Sequence, residues 1–164
     1  MMQVTVVYAL MEAKVRTTVR SYNDMKATKA AVSNLFPGFS EACVERPVED
    51  GVFLLEAMRP LDRFFELLRE QRILDTAMDV MAQGIVGDRT TFRLNRLAAS
   101  RSRVGFVLQG ETPLGGHIEV TWYDDHIRDE VEAATWHHGR DMIPRQIGDD
   151  ASMTRSGSSR MWHG

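Results

Sequence analysis

The spacing of apolar residues changes from one segment of this chain to the next, and this alternation constrains the fold most strongly. In residues 14–20, β-branched side chains alternate with mostly basic ones, a pattern typical of a strand with one buried face. The next segment has apolar residues three or four positions apart, which predicts a helix that begins near Asn23 or Asp24. Pro37 and Gly38 are expected to end that helix after Phe36.

The same reasoning extends over the rest of the chain. An Asp-Gly turn at residues 50–51 separates two apolar runs and predicts a hairpin. Strands are predicted at residues 39–46, 52–57, 90–95, 104–108 and 117–123, and helices at 61–72, 73–83 and 125–135. A short helical or looped piece is expected at 96–100. This order of elements predicts an α+β fold in which helices pack on one face of a mostly antiparallel sheet.

The length of the chain predicts one domain. Its 164 residues, of which 43% are hydrophobic, are enough to form a single core without disulfides or a structural metal. We expect this domain to span residues 11–145. Residues 1–10 are interpreted as an N-terminal extension, with an additional edge strand as the alternative, and residues 146–164 as a disordered tail.

Cysteine content and hydropathy indicate the cellular environment. Cys43 is the single cysteine, which excludes an internal disulfide framework and is typical of a reducing cytosol. No apolar run reaches the roughly 18 to 20 residues that a membrane-spanning helix requires. The first ten residues also lack the basic start of a signal peptide. We therefore expect a cytoplasmic protein without a membrane partner.

Charge is distributed unevenly along the chain. The net charge of −3 predicts no overall attraction to nucleic acid. Residues 89–103, however, contain five arginines and no acidic residue, and acidic segments lie on both sides of them. Because guanidinium groups pair bidentately with phosphate oxygens, this basic segment could form a phosphate-contacting edge. The alternative is a solvated face that the flanking acidic residues neutralise.

The sequence contains no recognisable catalytic set and predicts no cofactor or metal. Asp75 and Asp79 share one face of a predicted helix, a spacing that could hold a metal or serve acid–base chemistry. We favour a structural role in which Asp75 accepts hydrogen bonds or binds an arginine at a helix junction, with Arg96 as the candidate arginine, while Asp79 is solvated. His117 and Glu119 match half of a zinc-deaminase signature, but the cysteine half cannot exist in a chain with one cysteine.

Two further groups of residues are weaker candidates for binding. His137 and His138 are adjacent and diverge on a helix, so they form at most an adventitious metal site with Asp141 and His163. Near the C-terminus, a stacking site for single-stranded nucleic acid is considered and judged less favoured than an inert tail; its residues are Arg155, Arg160 and Trp162.

Several short motifs carry a resemblance to a known family. Residues 71–77 read Gln-Arg-Ile-Leu-Asp-Thr-Ala, residues 94–99 read Leu-Asn-Arg-Leu-Ala-Ala, and residues 113–115 read Pro-Leu-Gly. Together with Asn-Leu-Phe-Pro-Gly at 34–38, they resemble the uncharacterised archaeal protein family 0201 over about residues 11–145. The resemblance implies an RNA-binding role, a candidate association with the exosome, and a fold like that of a large-subunit ribosomal protein or a double-stranded-RNA-binding domain.

The combined interpretation is a non-catalytic protein that binds structured RNA mainly through phosphate and ribose, as part of an RNA-processing complex. The predicted contacts are Arg93, Arg96, Arg101 and Arg103 for phosphate and Asn95 and Ser100 for ribose. The surface could extend to Lys14, Arg16, Arg20, Lys26 and Lys29 if the first strand or helix lies beside them. The alternative is a protein-interaction adaptor or a symmetric dimer that uses the acidic residues 124–132 and the basic residues 89–103.

Overall fold

A computed structural model describes residues 11–20 and 24–142 and shows an α+β fold. The strands are β1 (Glu12–Val19), β2 (Val44–Glu49), β3 (Val52–Pro60), β4 (Ile85–Val86), β5 (Arg89–Asn95), β6 (Phe106–Val107) and β7 (His117–Tyr123). The helices are α1 (Met25–Leu35), α2 (Phe39–Ala42), α3 (Asp62–Gln71), α4 (Leu74–Gln83), α5 (Arg96–Ala99), α6 (Ile127–Ala134) and α7 (Gly139–Met142). The expected extension at 1–10 and tail at 146–164, with Arg155, Arg160 and Trp162, lie outside the described residues.

In the described part of the chain, seven strands form one antiparallel sheet in the order β2-β3-β1-β7-β5. Both β4 and β6 pair with the outer edge of β5. Side chains alternate between the two faces of each strand, so the partners Val15 and Val120 face the core while Arg16 and Glu119 face away from it. The predicted mostly antiparallel sheet is confirmed.

Helices cover one face of this sheet. Within residues 11–20 and 24–142, side chains of the other face, such as Arg16 and Glu119, are partly exposed, and we call it the open face. Phe64 of α3 is fully buried. The centre of its ring lies 5.6 Å from the ring centre of Phe36 and 5.7 Å from the ring centre of Phe92 on β5. Phe65 of the same helix packs against Trp122 of β7 at a ring separation of 5.8 Å. The apolar stripe of α3 is therefore the part of the core that joins the helices to the centre of the sheet.

Several element boundaries differ from the sequence predictions, and the two main differences lie near Gly38 and Pro60. The segment predicted as the start of a strand at residue 39 is the short helix α2, in which the N–H of Ala42 donates to the carbonyl of Gly38 at 3.0 Å. The left-handed backbone of Gly38 (φ 86°) turns the chain, and Phe39 is buried in the core. Pro60, which immediately precedes the helix predicted at 61–72, ends β3 opposite Glu12.

The helices of the described segment are short. The longest, α1, has 11 residues, and none in residues 11–20 and 24–142 is long and apolar enough to cross a membrane.

The short helix α7 follows the last helix predicted from the sequence, and it was not itself predicted. It places the buried residue Arg140 against α4.

Candidate nucleic-acid interface

The arginine-rich segment folds into a strand, one helical turn and a loop. The side-chain oxygen of Asn95 accepts a hydrogen bond from the N–H of Ala98 at 2.9 Å and so caps α5. Ser102 has a left-handed backbone (φ 57°), and the N–H of Asn95 donates to the carbonyl of Gly105 at 2.7 Å. The five arginines are therefore spread over a strand face, a helix start and a loop.

The two arginines of β5 lie on the open face of the sheet and contact other groups of the protein. The guanidinium of Arg89 lies 4.9 Å from the ring centre of Tyr123. Arg93 lies opposite Glu119 in the strand register and donates to the carbonyl of Leu108 at 3.1 Å. Arg93 therefore binds the segment that follows β6, and its cross-strand neighbour on β7 is the acidic residue Glu119.

Arg96 joins α5 to the end of β1. Its Nη1 atom donates to the hydroxyl of Thr17 at 2.7 Å and to the carbonyl of Thr18 at 2.5 Å. Burial lowers the pKa of Arg96, and the nearby carboxylate of Asp24 opposes that shift. A Cβ at Gly116 would lie 2.8 Å from the guanidinium, so that glycine gives it room. Arg96 therefore holds α5 against the end of β1, and phosphate contact through its other nitrogens stays a prediction.

Arg101 and Arg103 lie on the loop between α5 and β6, and both are exposed. Within residues 11–20 and 24–142, neither side chain has a hydrogen bond or an ion pair. Gln71 fixes the base of this loop, because its side chain accepts from the N–H of Val104 at 2.7 Å and donates to the carbonyl of Val104 at 3.0 Å. The loop therefore presents two unpaired guanidinium groups on a fixed backbone.

The two candidate ribose contacts have structural partners of their own. Asn95 uses its side-chain oxygen as the cap of α5. The Ser100 hydroxyl donates to the carbonyl of Leu97 at 2.5 Å. Both side chains keep hydrogen-bonding capacity beyond these contacts, so ribose binding by Asn95 and Ser100 stays a prediction.

Two members of the predicted extension are paired with carboxylates. The Nε atom of Arg16 lies 3.8 Å from a carboxylate oxygen of Glu56 and 3.5 Å from one of Glu119, on the open face of the sheet. Lys29 forms an ion pair with Glu45. These carboxylates offset the positive charge of Arg16 and Lys29, and RNA contact by either residue stays a prediction.

The other three members of the extension divide between the two ends of β1. Lys14 lies near the start of the strand, with its Nζ atom 5.9 Å from the ring centre of Tyr123, and is remote from α5. Arg20 and Lys26 are exposed at the other end, where Arg96 contacts Thr18. The end of β1 thus lies beside α5, and RNA contact by Arg20 and Lys26 stays a prediction.

A second group of charged residues lies where α3 meets α4. His137 Nε2 and Asp75 Oδ1 are 3.0 Å apart, and Arg140 Nη2 donates to the same oxygen. Asp75 therefore does bind an arginine at a helix junction, as predicted, but the partner is Arg140. Arg96 was the wrong partner, because its guanidinium is at the end of β1.

Electrostatics and burial make this ion pair unusual within the fold. Burial alone would raise the pKa of Asp75, but hydrogen bonds from Arg140 and His137 outweigh it and lower the pKa below its usual value. The Arg140 side chain is 6% exposed and that of Asp75 is 47% exposed. In the described part of the chain, the Nε atom of Arg140 is buried without a hydrogen-bond partner.

The weak metal site considered for the histidines does not form in the described residues. No group of three or more His, Cys, Asp or Glu side chains there could hold a metal ion. His137 contacts Asp75, whereas the ring of His138 packs edge-on against Trp136 at 5.1 Å. The side chain of Asp141 and all of His163 lie outside the described residues.

Comparison with known proteins identifies relatives of the chain, although no family model matches it. A UPF0201 protein of Metallosphaera sedula is 36% identical over 117 residues, which cover 68% of this chain and 78% of that protein. The chain belongs to the UPF0201 family. A UPF0201 protein of Methanopyrus kandleri is also 36% identical, over 129 residues that cover 73% of this chain and 79% of the relative.

A solved UPF0201 structure supports the same relationship. The crystal structure of a UPF0201 protein from Methanococcus jannaschii matches with a TM-score of 0.68 and 26% identity, over 76% of this chain and 99% of that one. The family resemblance found in the sequence is therefore confirmed. The name UPF0201 identifies a family and states no activity, so the function is argued from the residues.

The UPF0201 motifs have distinct places in the structure. Residues 71–77 contribute Gln71, which fixes the basic loop, and Asp75, which binds Arg140. Residues 94–99 contribute the capped turn that carries Arg96. Sequence reasoning missed Arg140, because it lies beyond the last periodic segment and contacts a residue 65 positions away.

Proposed function

We propose that this UPF0201 protein binds structured RNA without catalysing a reaction, mainly through phosphate and ribose contacts. The observation that carries the proposal is the exposed pair Arg101 and Arg103, whose side chains have no partner in the described residues. Planar guanidinium groups bind phosphate oxygens through two parallel hydrogen bonds. A double helix would offer a matching row of phosphates.

The neighbouring groups extend this surface in one direction. Arg96 holds α5 against the end of β1, where Arg20 and Lys26 are exposed. These residues supply further positive charge around the loop, whereas the ion-paired residues Arg16 and Lys29 do not. We propose that the interface consists of the α5–β6 loop and the adjoining end of β1, and that the protein acts in the cytoplasm within an RNA-processing complex.

The test is titration with a short RNA duplex at several salt concentrations. Phosphate binding releases counterions, so the logarithm of the affinity should fall linearly with the logarithm of the salt concentration. Removing one phosphate contact should reduce the steepness of that line by about one unit. We expect this reduction for Arg101→Ala and for Arg103→Ala, and about twice as much for the double variant.

Arg46→Ala is the matched control. Arg46 is also exposed and has no side-chain partner in the described residues, but it lies on β2, at the edge of the sheet away from β5. The proposal fails if affinity does not depend on salt, or if the control variant changes the slope as much as Arg101→Ala does. The adaptor alternative predicts instead a protein complex that survives nuclease treatment and is lost in the loop variants.

A further inference from the structure

A cleft of about 700 Å³ lies between the junction of α3 with α4 and the segment that follows α6. This volume is in the range of sites for small organic ligands. Six polar or aromatic residues line it, namely Arg69, Arg72, Asp75, Trp136, His137 and His138. The RNA interface proposed above uses none of them.

The cleft carries an excess of positive charge. Arg69 and Arg72 are exposed, and neither side chain has an ion pair among the described residues. Asp75 is the one carboxylate in the lining, and the buried Arg140 neutralises it. Arg69 also borders a neighbouring cleft with Glu66 and Glu130, so Arg72 is the cation that belongs most clearly to this site. An anionic ligand fits this arrangement.

The backbone of Arg72 is an independent sign that its side chain has a role. Arg72 follows the last residue of α3 with φ 60° and ψ 45°, in the left-handed region. Its N–H donates to the carbonyl of Arg69 at 3.1 Å, and the N–H of Ile73 donates to that of Leu68 at 3.0 Å, which ends the helix. Glycine or asparagine is favoured at this position, because other residues are strained there. Strained residues are concentrated at binding sites.

An exposed aromatic ring lies in the same cleft. Trp136 is 45% exposed, which is unusual for so large an apolar side chain, and its ring contacts that of His138. Trp122, by contrast, is 1% exposed and belongs to the core. An indole face that is open to solvent beside unpaired guanidinium groups can stack on a planar ring while the guanidinium groups bind phosphate.

The ion pair at the back of the cleft holds its two walls together. Asp75 belongs to α4, whereas His137 precedes α7 and Arg140 lies within it. The hydrogen bonds of Asp75 therefore fix the segment that carries Trp136 relative to α3 and α4. Asp75 and Arg140 are positioning residues in this arrangement, and they leave Arg72 and Trp136 to contact the ligand.

We propose that this cleft binds a nucleotide, with the base stacked on Trp136 and the phosphate held by Arg72 and Arg69. The ligand chemistry is a planar base joined to a phosphate monoester. It could come from a free nucleoside monophosphate or from the phosphorylated end of an RNA strand. The second source rests on the RNA-binding function proposed above, whereas the first does not.

Fluorescence of the full-length protein tests the proposal. The background variant Trp162→Phe leaves Trp122 and Trp136 as the emitting residues. Adenosine 5′-monophosphate should cause a saturable change in emission, and Trp136→Phe should remove that change. Calorimetric titration should show at least tenfold weaker binding for inorganic phosphate and for adenosine, because each supplies only half of the contacts. No saturable signal with the monophosphate, or equal binding of adenosine, would overturn the proposal.

Arg72→Gly is the decisive variant, because glycine adopts the backbone angles of this position without strain. It should fold and should bind the monophosphate at least tenfold more weakly. Ser102→Gly is the matched control, since Ser102 has a similar left-handed backbone (φ 57°) outside the cleft. Wild-type affinity in Arg72→Gly, or equal loss in both variants, would contradict the site.

Two further experiments are needed. The first distinguishes a free nucleotide from the phosphorylated end of an RNA strand, and the second separates the cleft from the proposed RNA interface. A 5′-phosphorylated RNA oligonucleotide that competes with the monophosphate, while its unphosphorylated form does not, identifies a strand end as the source. Failure of both oligonucleotides to compete identifies the free nucleotide. The double variant of Arg101 and Arg103 should bind the monophosphate normally, so loss of duplex binding alone would concern only the proposed RNA interface.

Discussion

The basic loop and the charged cleft of this protein use arginine in opposite ways. In the loop, Arg101 and Arg103 are near neighbours in the sequence, are exposed and have no partner in the described residues. In the cleft, Arg140 is buried and binds Asp75, which lies 65 positions earlier in the chain. Two arginines that are close together in the sequence therefore lie on a solvated loop, whereas the arginine that binds Asp75 is isolated from other arginines in the sequence.

The largest expected effect is on stability and belongs to the cleft. Asp75→Ala leaves the buried guanidinium of Arg140 without a carboxylate, which costs about 3 to 5 kcal/mol when both partners are buried. Because Asp75 is about half exposed, we expect a smaller loss of about 2 kcal/mol in the free energy of unfolding, measured by urea denaturation. Asp88→Asn is the control. Both side chains of the ion pair between Asp88 and Arg89 are exposed, so this variant should change the free energy of unfolding only slightly. Equal small losses in both variants would contradict the structural role of Arg140.

The same pair predicts a dependence of stability on pH. The pKa of Asp75 is lower in the folded protein than in the unfolded chain, so the unfolded state binds the proton more readily. The stability contributed by ionised Asp75 is therefore complete above the unfolded pKa, near 4, and is lost as the pH falls through the lower folded pKa. The stability difference between wild type and Asp75→Ala, measured by denaturation from pH 7 to pH 2, should shrink below about pH 4. A difference that is constant over this range would contradict the assignment.

The next effect compares two arginines of the basic segment itself. Arg96→Ala removes two hydrogen bonds that tie α5 to the end of β1, and we expect a loss of about 1.5 kcal/mol. Arg101→Ala removes an exposed side chain without a partner in the described residues and should change stability by less than about 0.5 kcal/mol. Thermal or urea unfolding of the two variants measures the difference. Equal stabilities would mean that Arg96 does not fasten α5, and that it is as available to phosphate as Arg101.

These contrasts also explain what the sequence could and could not predict. The alternation around Val15 and the stripe around Phe64 predict the sheet and its helical cover, because both follow from local periodicity and burial. Local spacing also predicts that Asn95 precedes a short turn. It does not predict that Arg96 reaches Thr17, or that Arg140 reaches Asp75, because these contacts depend on how strands and helices distant in the sequence are brought together.

The smallest expected effect separates the loop from the cleft most cleanly. Arg72 in the cleft and Ser102 in the loop are the two non-glycine residues with positive φ in the described chain. Replacing either by glycine relieves the left-handed strain but adds freedom to the unfolded chain, so each variant should gain at most about 1 kcal/mol in stability, measured by urea denaturation. If both gain stability, both positions carry left-handed strain, and loss of monophosphate binding in Arg72→Gly alone assigns a ligand-binding role to Arg72. If Arg72→Gly instead loses stability while Ser102→Gly does not, the Arg72 guanidinium supports the fold, and the argument from strain to ligand binding fails.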